Sequence, residues 1–316
     1  MAVVFRFTSS HDVLSCRWAV SPLRETLAAV RVLARPHRQG YHLPWLRSVS
    51  STLERVDLTV LPRLLGRQYT PDFLCPPPNG PRPTFEEEVA RVRSADPDRV
   101  AAELARSPAA GLGLPSDPAE CRDLLADAVE NVWRGLLAPW WPRISEVLEN
   151  DIAHWTRVLA AQGLGAVLAD LHPRVRWNRD AVTVALPVDA DREIDATGLL
   201  LMPSVFEWPD VGVAVDPPWA PTIDYPARGI AALWQSAATP SDALGRLVGR
   251  RRALLLSALV EPTSTTGLAR RCAVPVSTVS EQLRILRDAG LVHTHRAGRF
   301  LRHERTPLGT SLVNGT

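Results

Sequence analysis

The sequence predicts an α+β protein in two parts. A mostly helical N-terminal domain with a small β-region covers residues 1–240, and a C-terminal unit of helix, turn, helix and hairpin covers residues 241–316. Three observations lead there. Apolar residues recur at helical spacing through most of the first 165 positions. After Gly165 the pattern changes to short alternating or apolar runs between turn residues. In the stretch from Val276 to Val292, Val276, Val279, Leu283 and Leu286 share one helical stripe, and Ser277, Thr278, Glu281 and Arg284 point the other way.

Taken in order, Val3 to Phe7 reads as a short strand. Ser21-Pro22 then opens a helix to Ala34, with a capping hydroxyl before a proline in the first turn and a buried stripe of Leu23, Leu27, Val30 and Ala34. A helix over Leu43 to Leu65 follows. Pro71 to Pro83 holds six prolines and admits no regular element. Short helices are expected after Thr84, after Asp96-Pro97 and after Asp117-Pro118. A long helical stretch, broken or bent at Pro139 and Pro142, spans Glu130 to Gln162. The β-region comprises Val175 to Trp177, Ala181 to Leu186, Gly198 to Met202 and Val211 to Val215. A second Pro-rich stretch, Pro217 to Pro226, leads to a boundary at Thr239-Pro240-Ser241, and Ser241 caps a helix through Leu259.

The last quarter carries the functional signal. Thr265 to Cys272 is a short helix, four residues join it to the helix from Val276, and two strands, Leu291 to His295 and Phe300 to Arg305, flank the turn Arg296-Ala297-Gly298-Arg299. That order is a winged helix-turn-helix. The second helix suits the major groove of DNA. Ser277, Thr278 and Ser280 meet phosphates or base edges, Glu281 accepts from cytosine, Gln282 bridges adenine, and Arg284 reaches guanine or phosphate. Thr265 and Thr266 open the first helix beside the backbone. Arg296, Arg299 and Arg302 of the wing contact the backbone or enter the minor groove.

Charge agrees with this division. From Ser241 onward there are 12 Arg against 5 Asp and Glu, about +7, while the remainder is about −5 although the chain totals only +2. A basic unit joined to an acidic one suits a nucleic-acid partner for the basic part. Every basic residue is Arg, a chain-wide bias that says nothing of function. Cys16, Cys75, Cys121 and Cys272 are widely spaced with no CxxC pair, which points to a reduced, cytoplasmic setting. The opening MAVVFRFTSS lacks the charged and apolar regions of a signal peptide, and no apolar run is long enough to span a bilayer.

The C-terminal unit resembles the ArsR-type winged-helix transcriptional regulators. The residues that carry the resemblance are Thr265-Thr266-Gly267-Leu268-Ala269, Val279-Ser280-Glu281-Gln282-Leu283, Leu286-Arg287-Asp288-Ala289-Gly290-Leu291-Val292, and the wing residues Arg296, Gly298, Arg299 and Arg302. Four positions depart from that family's pattern: Gly267 replaces an acid, Ala273 a turn glycine, Pro275 a serine cap and Gln282 a histidine. Ala19-Val20-Ser21-Pro22-Leu23, Trp140-Trp141-Pro142-Arg143, Pro203 to Pro209 (PSVFEWP) and Tyr225 to Gly229 (YPARG) resemble a domain of unknown function that precedes ArsR-type modules in high-GC Gram-positive bacteria. The resemblance implies a DNA-binding transcriptional regulator, a repressor acting as a homodimer on a double-stranded operator, with the N-terminal domain supplying dimer contacts, an effector response or both.

Other readings compete with this one. An enzymatic N-terminal domain fused to a DNA-binding module would need a signature, and GxSxG, P-loop, GxGxxG and HExxH patterns are all absent. A winged helix used only for protein docking would show an acidic face. His293, His295 and His303 could meet across the hairpin to hold a metal, but strand histidines are more often packing residues, so no metal or cofactor is expected. Cys272 is read as a core residue, and the run Glu86-Glu87-Glu88 as a solvated helix start. Eight of ten tryptophans lie between Trp133 and Trp234. They are read first as core packing, and otherwise as a pocket for a small hydrophobic effector.

Overall fold

The computed structural model describes residues 1–8, 15–36, 40–65, 69–107, 109, 111–194, 197–234, 242–297 and 300–314. The chain divides into two compact units, Met1–Trp141 with His154–Ala227, and Pro142–Ala153 with Arg228–Thr316. Thr239, Pro240 and Ser241, where the sequence suggests a boundary, lie outside the described residues.

In the first unit the helices are set by their caps. Ser21 accepts the Arg24 N–H at 3.0 Å to start α1, Pro22–Ala34. Leu23, Leu27 and Val30 are buried as expected, but Ala34 is exposed, and Glu25, Thr26 and Val32 take places on the buried side. The helix expected over 43–65 is two, α2 (Leu43–Leu53) and α3 (Leu61–Leu64). Between them the Asp57 carboxylate accepts the Thr59 N–H at 2.8 Å, a local turn that competes with helix. The first proline-rich stretch holds only a 3-10 turn, Asp72–Leu74. Thr84 and Glu87 then form a reciprocal capping box for α4, Phe85–Arg93. The acid run there is not solvated throughout: Glu88 is buried and accepts the Leu23 N–H at 2.9 Å. Asp96 and Asp117 cap α5 (Pro97–Arg106) and α6 (Pro118–Val132). A π-turn over Trp133–Leu137 separates α6 from α7, Trp141–Gln162, which has Pro142 in its first turn, where a missing N–H costs nothing. Gly163 ends α7 and α8 follows over Leu164–Asp170.

The β-region is larger than the sequence suggests. Strands β1 (Val3–Phe7), β2 (Arg17–Trp18), β3 (Val175–Asn178), β4 (Ala181–Val184), β5 (Ala190–Ile194), β6 (Leu200–Ser204), β7 (Gly212–Ala214) and β8 (Thr222–Pro226) make two four-stranded sheets ordered β3-β4-β1-β5 and β2-β6-β8-β7. Strand β1 runs antiparallel to β4, with Phe5 opposite Val182, and parallel to β5. The sequence misses β5 because Asp191, Arg192 and Glu193 hide it. Pairing with β1 and an Arg6–Asp191 ion pair at 2.7 Å hold it in place. It also misses β8, which lies within the second Pro-rich stretch. There Pro226 ends the strand, where no ladder donor is required, and Tyr225 is fully buried. One core takes Val3, Phe5, Val182 and Val184 from the first sheet, Leu201, Ile223 and Tyr225 from the second, and Trp155 and Val167 from helices.

In the second unit α9 (Ile230–Leu233) precedes α10 (Asp242–Val248) and α11 (Arg250–Ala258). The single helix expected through Leu259 breaks at Gly249, whose φ of 87° is left-handed. The helices α12 (Thr265–Cys272) and α13 (Val276–Asp288), the hairpin β9 (Val292–Ala297) with β10 (Phe300–Arg305), and α14 (Pro307–Asn314) complete it. Mixed helix and sheet followed by a C-terminal winged helix-turn-helix is the observed fold.

Candidate nucleic-acid interface

Two capped helices and a tight turn build the interface. Ser264 accepts the Gly267 N–H at 3.0 Å and starts α12. The chain then reverses at Ala273, which sits in the left-handed region at φ 54° and returns its N–H to the end of α12. An alanine there is strained because its Cβ crowds the backbone, a cost a glycine escapes. Ala273→Gly is therefore expected to stabilise this unit by about 0.5–1 kcal/mol, seen as a higher urea midpoint with an unchanged slope.

Helix α13 lies with Val279, Leu283 and Leu286 buried against Leu255, Leu256, Leu259 and Leu268. Val276, placed by its spacing on that stripe, is instead 47% exposed, since it begins the helix beyond the edge of the core. Cys272 packs at the same core, and burial pushes its thiol up to about 11, too high for a metal-binding or reactive thiolate. The opposite face is open. Ser277, Ser280, Glu281 and Arg284 are exposed, Thr278 and Gln282 are half-buried at its margins, and Thr266 is exposed on α12. Among the described residues Arg284 reaches only Asp288 on its own helix, at 3.5 Å, with both side chains well exposed. Pro275 gives the first turn of α13 no side-chain cap, so no side chain occupies its leading N–H groups. Thr265 is less available, because its hydroxyl is 2.9 Å from His303 Nε2.

The wing departs from expectation in two ways. Residues Phe300 to Arg305 pair with Ala297 to Val292. Arg296 is exposed at its tip; Gly298 and Arg299 lie outside the described residues. Arg302 is not at the surface. It is 4% exposed, with its guanidinium on Glu146 and Glu149 at 3.1 Å each, and two carboxylates leave it no reach for a phosphate. The three histidines do not converge either. His303 stands opposite Thr294, so it lies on the other face of the hairpin from His293 and His295. It is buried between the hydroxyls of Thr265 and Thr294, each 2.9 Å from a ring nitrogen, and burial lowers its pKa. Among the described residues no group of three His, Cys, Asp or Glu side chains has metal-binding geometry.

Glu146 is the residue that sequence reasoning misses. Its Oε1 accepts the Ser264 N–H at 2.8 Å and also faces Arg302. A carboxylate thus reaches the start of α12 from the segment Pro142–Ala153 rather than from position 267, where the related pattern has an acid. A Cβ on Gly267 would stand 2.1 Å from that carboxylate. The missing acid at 267 is the one trace of this arrangement in the sequence.

Residues 251–295 match a helix-turn-helix domain family, and residues 109–231 match a family of unknown function (DUF5937). The C-terminal unit is a helix-turn-helix domain. Its match, and the winged arrangement around it, indicate a DNA-binding regulator, with a domain of unknown function in the N-terminal part. No curated protein and no solved structure matches the chain. Among the described residues no helix is long and apolar enough to cross a membrane. Several of the tryptophans flagged in the sequence serve packing: Trp133 stacks on Phe85 at 4.6 Å and meets Trp141 edge-on, and Trp155 belongs to the core.

Proposed function

We propose that this chain is an ArsR-type transcriptional repressor that binds operator DNA as a homodimer through residues 241–316. Helix α13 lies in the major groove. Ser277, Thr278, Ser280, Glu281, Gln282 and Arg284 face the base edges and flanking phosphates, and Thr266 meets the backbone beside them. Arg296 and Arg299 of the wing hold the backbone or enter the minor groove. Two such helices address half-sites about one DNA turn, roughly 34 Å, apart. The N-terminal unit supplies dimer contacts and an effector response, a coupling of about 1–3 kcal/mol.

The observation that carries this reading is the polarity of α13. Its apolar stripe is spent on the unit's own core, and the face left over is short and hydrogen-bonding, with Glu281 and Arg284 exposed on it. A gel-shift series on a duplex from the promoter of its own gene tests it. Arg284→Ala should weaken specific binding by about 1–3 kcal/mol if the side chain holds a base. Arg296→Ala should weaken cognate and scrambled duplexes alike and reduce the slope of log K against log salt by about 1. Equal binding of wild type to cognate and scrambled duplexes would defeat the reading of sequence-specific repression.

A further inference from the structure

Two of the segments that resemble a domain of unknown function, Ala19 to Leu23 and Pro203 to Pro209, reach one cavity of about 1220 Å³ in the first unit. Ser21, Arg24 and Glu25 come to its wall from the start of α1, and Ser204, Phe206 and Glu207 from the end of β6 and the turn after it. The two segments are locked together there. Both Glu25 carboxylate oxygens accept the Val205 N–H, at 3.0 and 3.2 Å, and Arg31 pairs with Glu207 at 2.6 Å.

Charge on the wall is unevenly matched. Arg24 is held by Asp224, Arg31 by Glu207, Arg106 by Asp216 and Arg174 by Asp210, and Arg35 is engaged as well. Three carboxyl groups on the same wall, Glu25, Asp72 and Asp189, have no ion pair among the described residues, and Asp189 accepts the Ala2 N–H at 2.8 Å. Glu25 is only 2% exposed. The Tyr69 hydroxyl, also on the wall, is buried with no hydrogen-bond partner in the described structure. Phe206 and Trp208 add aromatic surface. An anionic ligand at Arg24 or Arg31 would have to draw it from Asp224 or Glu207, whose side chains are only 9% and 10% exposed, which leaves that acid uncompensated. A cation displaces no ionic partner. It brings N–H donors to Glu25 and Asp72, which have none from a charged partner, and aromatic faces attract both its charge and its apolar body.

We propose that this cavity binds a small organic cation, an amine with an apolar or aromatic body. Its ammonium faces the carboxyls of Glu25 and Asp72, and its body lies against Phe206 and Trp208. This replaces the purely hydrophobic effector suggested by tryptophan content. The two carboxyls agree with this: burial, with Glu207 adding, pushes Glu25 up to about 8, and burial, with Glu103 and Asp216 adding, pushes Asp72 up to about 6. An ammonium ion restores the charged form of each.

Only the regulatory role of this ligand rests on the repressor reading; the binding site does not. Calorimetry on the full chain should compare 3,3-diphenylpropylamine with the alcohol and the carboxylic acid of the same skeleton. The amine is expected to bind at least tenfold more tightly than either, and Glu25→Gln to weaken it at least tenfold. Asp72→Asn, at a half-buried position, gives the same readout should Glu25→Gln fail to melt cooperatively. An acid or alcohol that binds as well as the amine, an amine that fails to bind folded protein at millimolar concentration, or variants that bind it unchanged would each overturn the proposal. Gel shifts with the amine present separate the two ideas. Amine binding in calorimetry without specific DNA binding upholds the cavity and defeats the repressor. Specific DNA binding without amine binding does the reverse.

Discussion

Arg302→Ala is expected to destabilise the winged unit by about 3–5 kcal/mol, the cost typical of removing one partner from a buried ion pair. The side chain is 5% exposed and its two partners, Glu146 and Glu149, 12% and 16%. Truncation would leave two carboxylates facing each other in a poorly solvated place. It would also release Glu146, which holds the Ser264 N–H at the start of α12. The measurement is urea denaturation followed by far-UV dichroism. The companion variant Glu146→Gln, which keeps a hydrogen-bond acceptor but removes one charge, should cost less. Because Arg302 reaches no phosphate, any residual DNA binding of the alanine variant, assayed where it is still folded, should keep the wild-type salt slope. Arg296→Ala should reverse this pattern, with stability near wild type and the slope reduced.

Asp224→Ala is expected to cost about 3 kcal/mol or more in the first unit for the same reason. Arg24 donates Nε to Asp224 Oδ1 at 3.0 Å, its Nη2 also meets Asp224, and its Nη1 meets the Cys75 carbonyl. The side chains are 13% and 9% exposed. Without Asp224 the guanidinium keeps one carbonyl and no charge within contact. Asp224 also sits in β8, opposite Met202 of β6, so the loss is felt where the second sheet meets α1. Removing both ends in Arg24→Leu with Asp224→Ala should recover part of the cost, since no buried charge is then stranded. A thermal melt of the single and double variants reads this directly.

What the sequence reveals follows the range of the interactions involved. Elements fixed by neighbours a few residues away are legible: Ser21-Pro22, Thr84 with Glu87, Asp96-Pro97 and Asp117-Pro118 each start a helix where their capping chemistry demands. The helix-turn-helix is legible for the same reason, with α12 at its expected limits and the apolar stripe of α13 displaced only at Val276. Strand β5 is not, because its residues are polar and its place comes from pairing with β1 far along the chain. The assignment of Arg302 to the DNA surface fails in the same way. Arginine in a wing is ordinarily exposed, and only the approach of Glu146 and Glu149, more than 150 positions earlier, turns it inward. The cavity is illegible for that reason too, since Glu25, Asp72 and Phe206 meet only in the fold.

The reactivity of a thiol placed on the open face of α13 tests the central claim most directly. Ser280→Cys puts it at an exposed position, and the unmodified protein, with its four free cysteines, sets the background. Saturating duplex from the promoter of its own gene, at modest ionic strength, should slow alkylation of Cys at this position at least tenfold, and a scrambled duplex should slow it far less. An unchanged rate in a complex shown to be fully formed would contradict the account, because the DNA would then lie elsewhere.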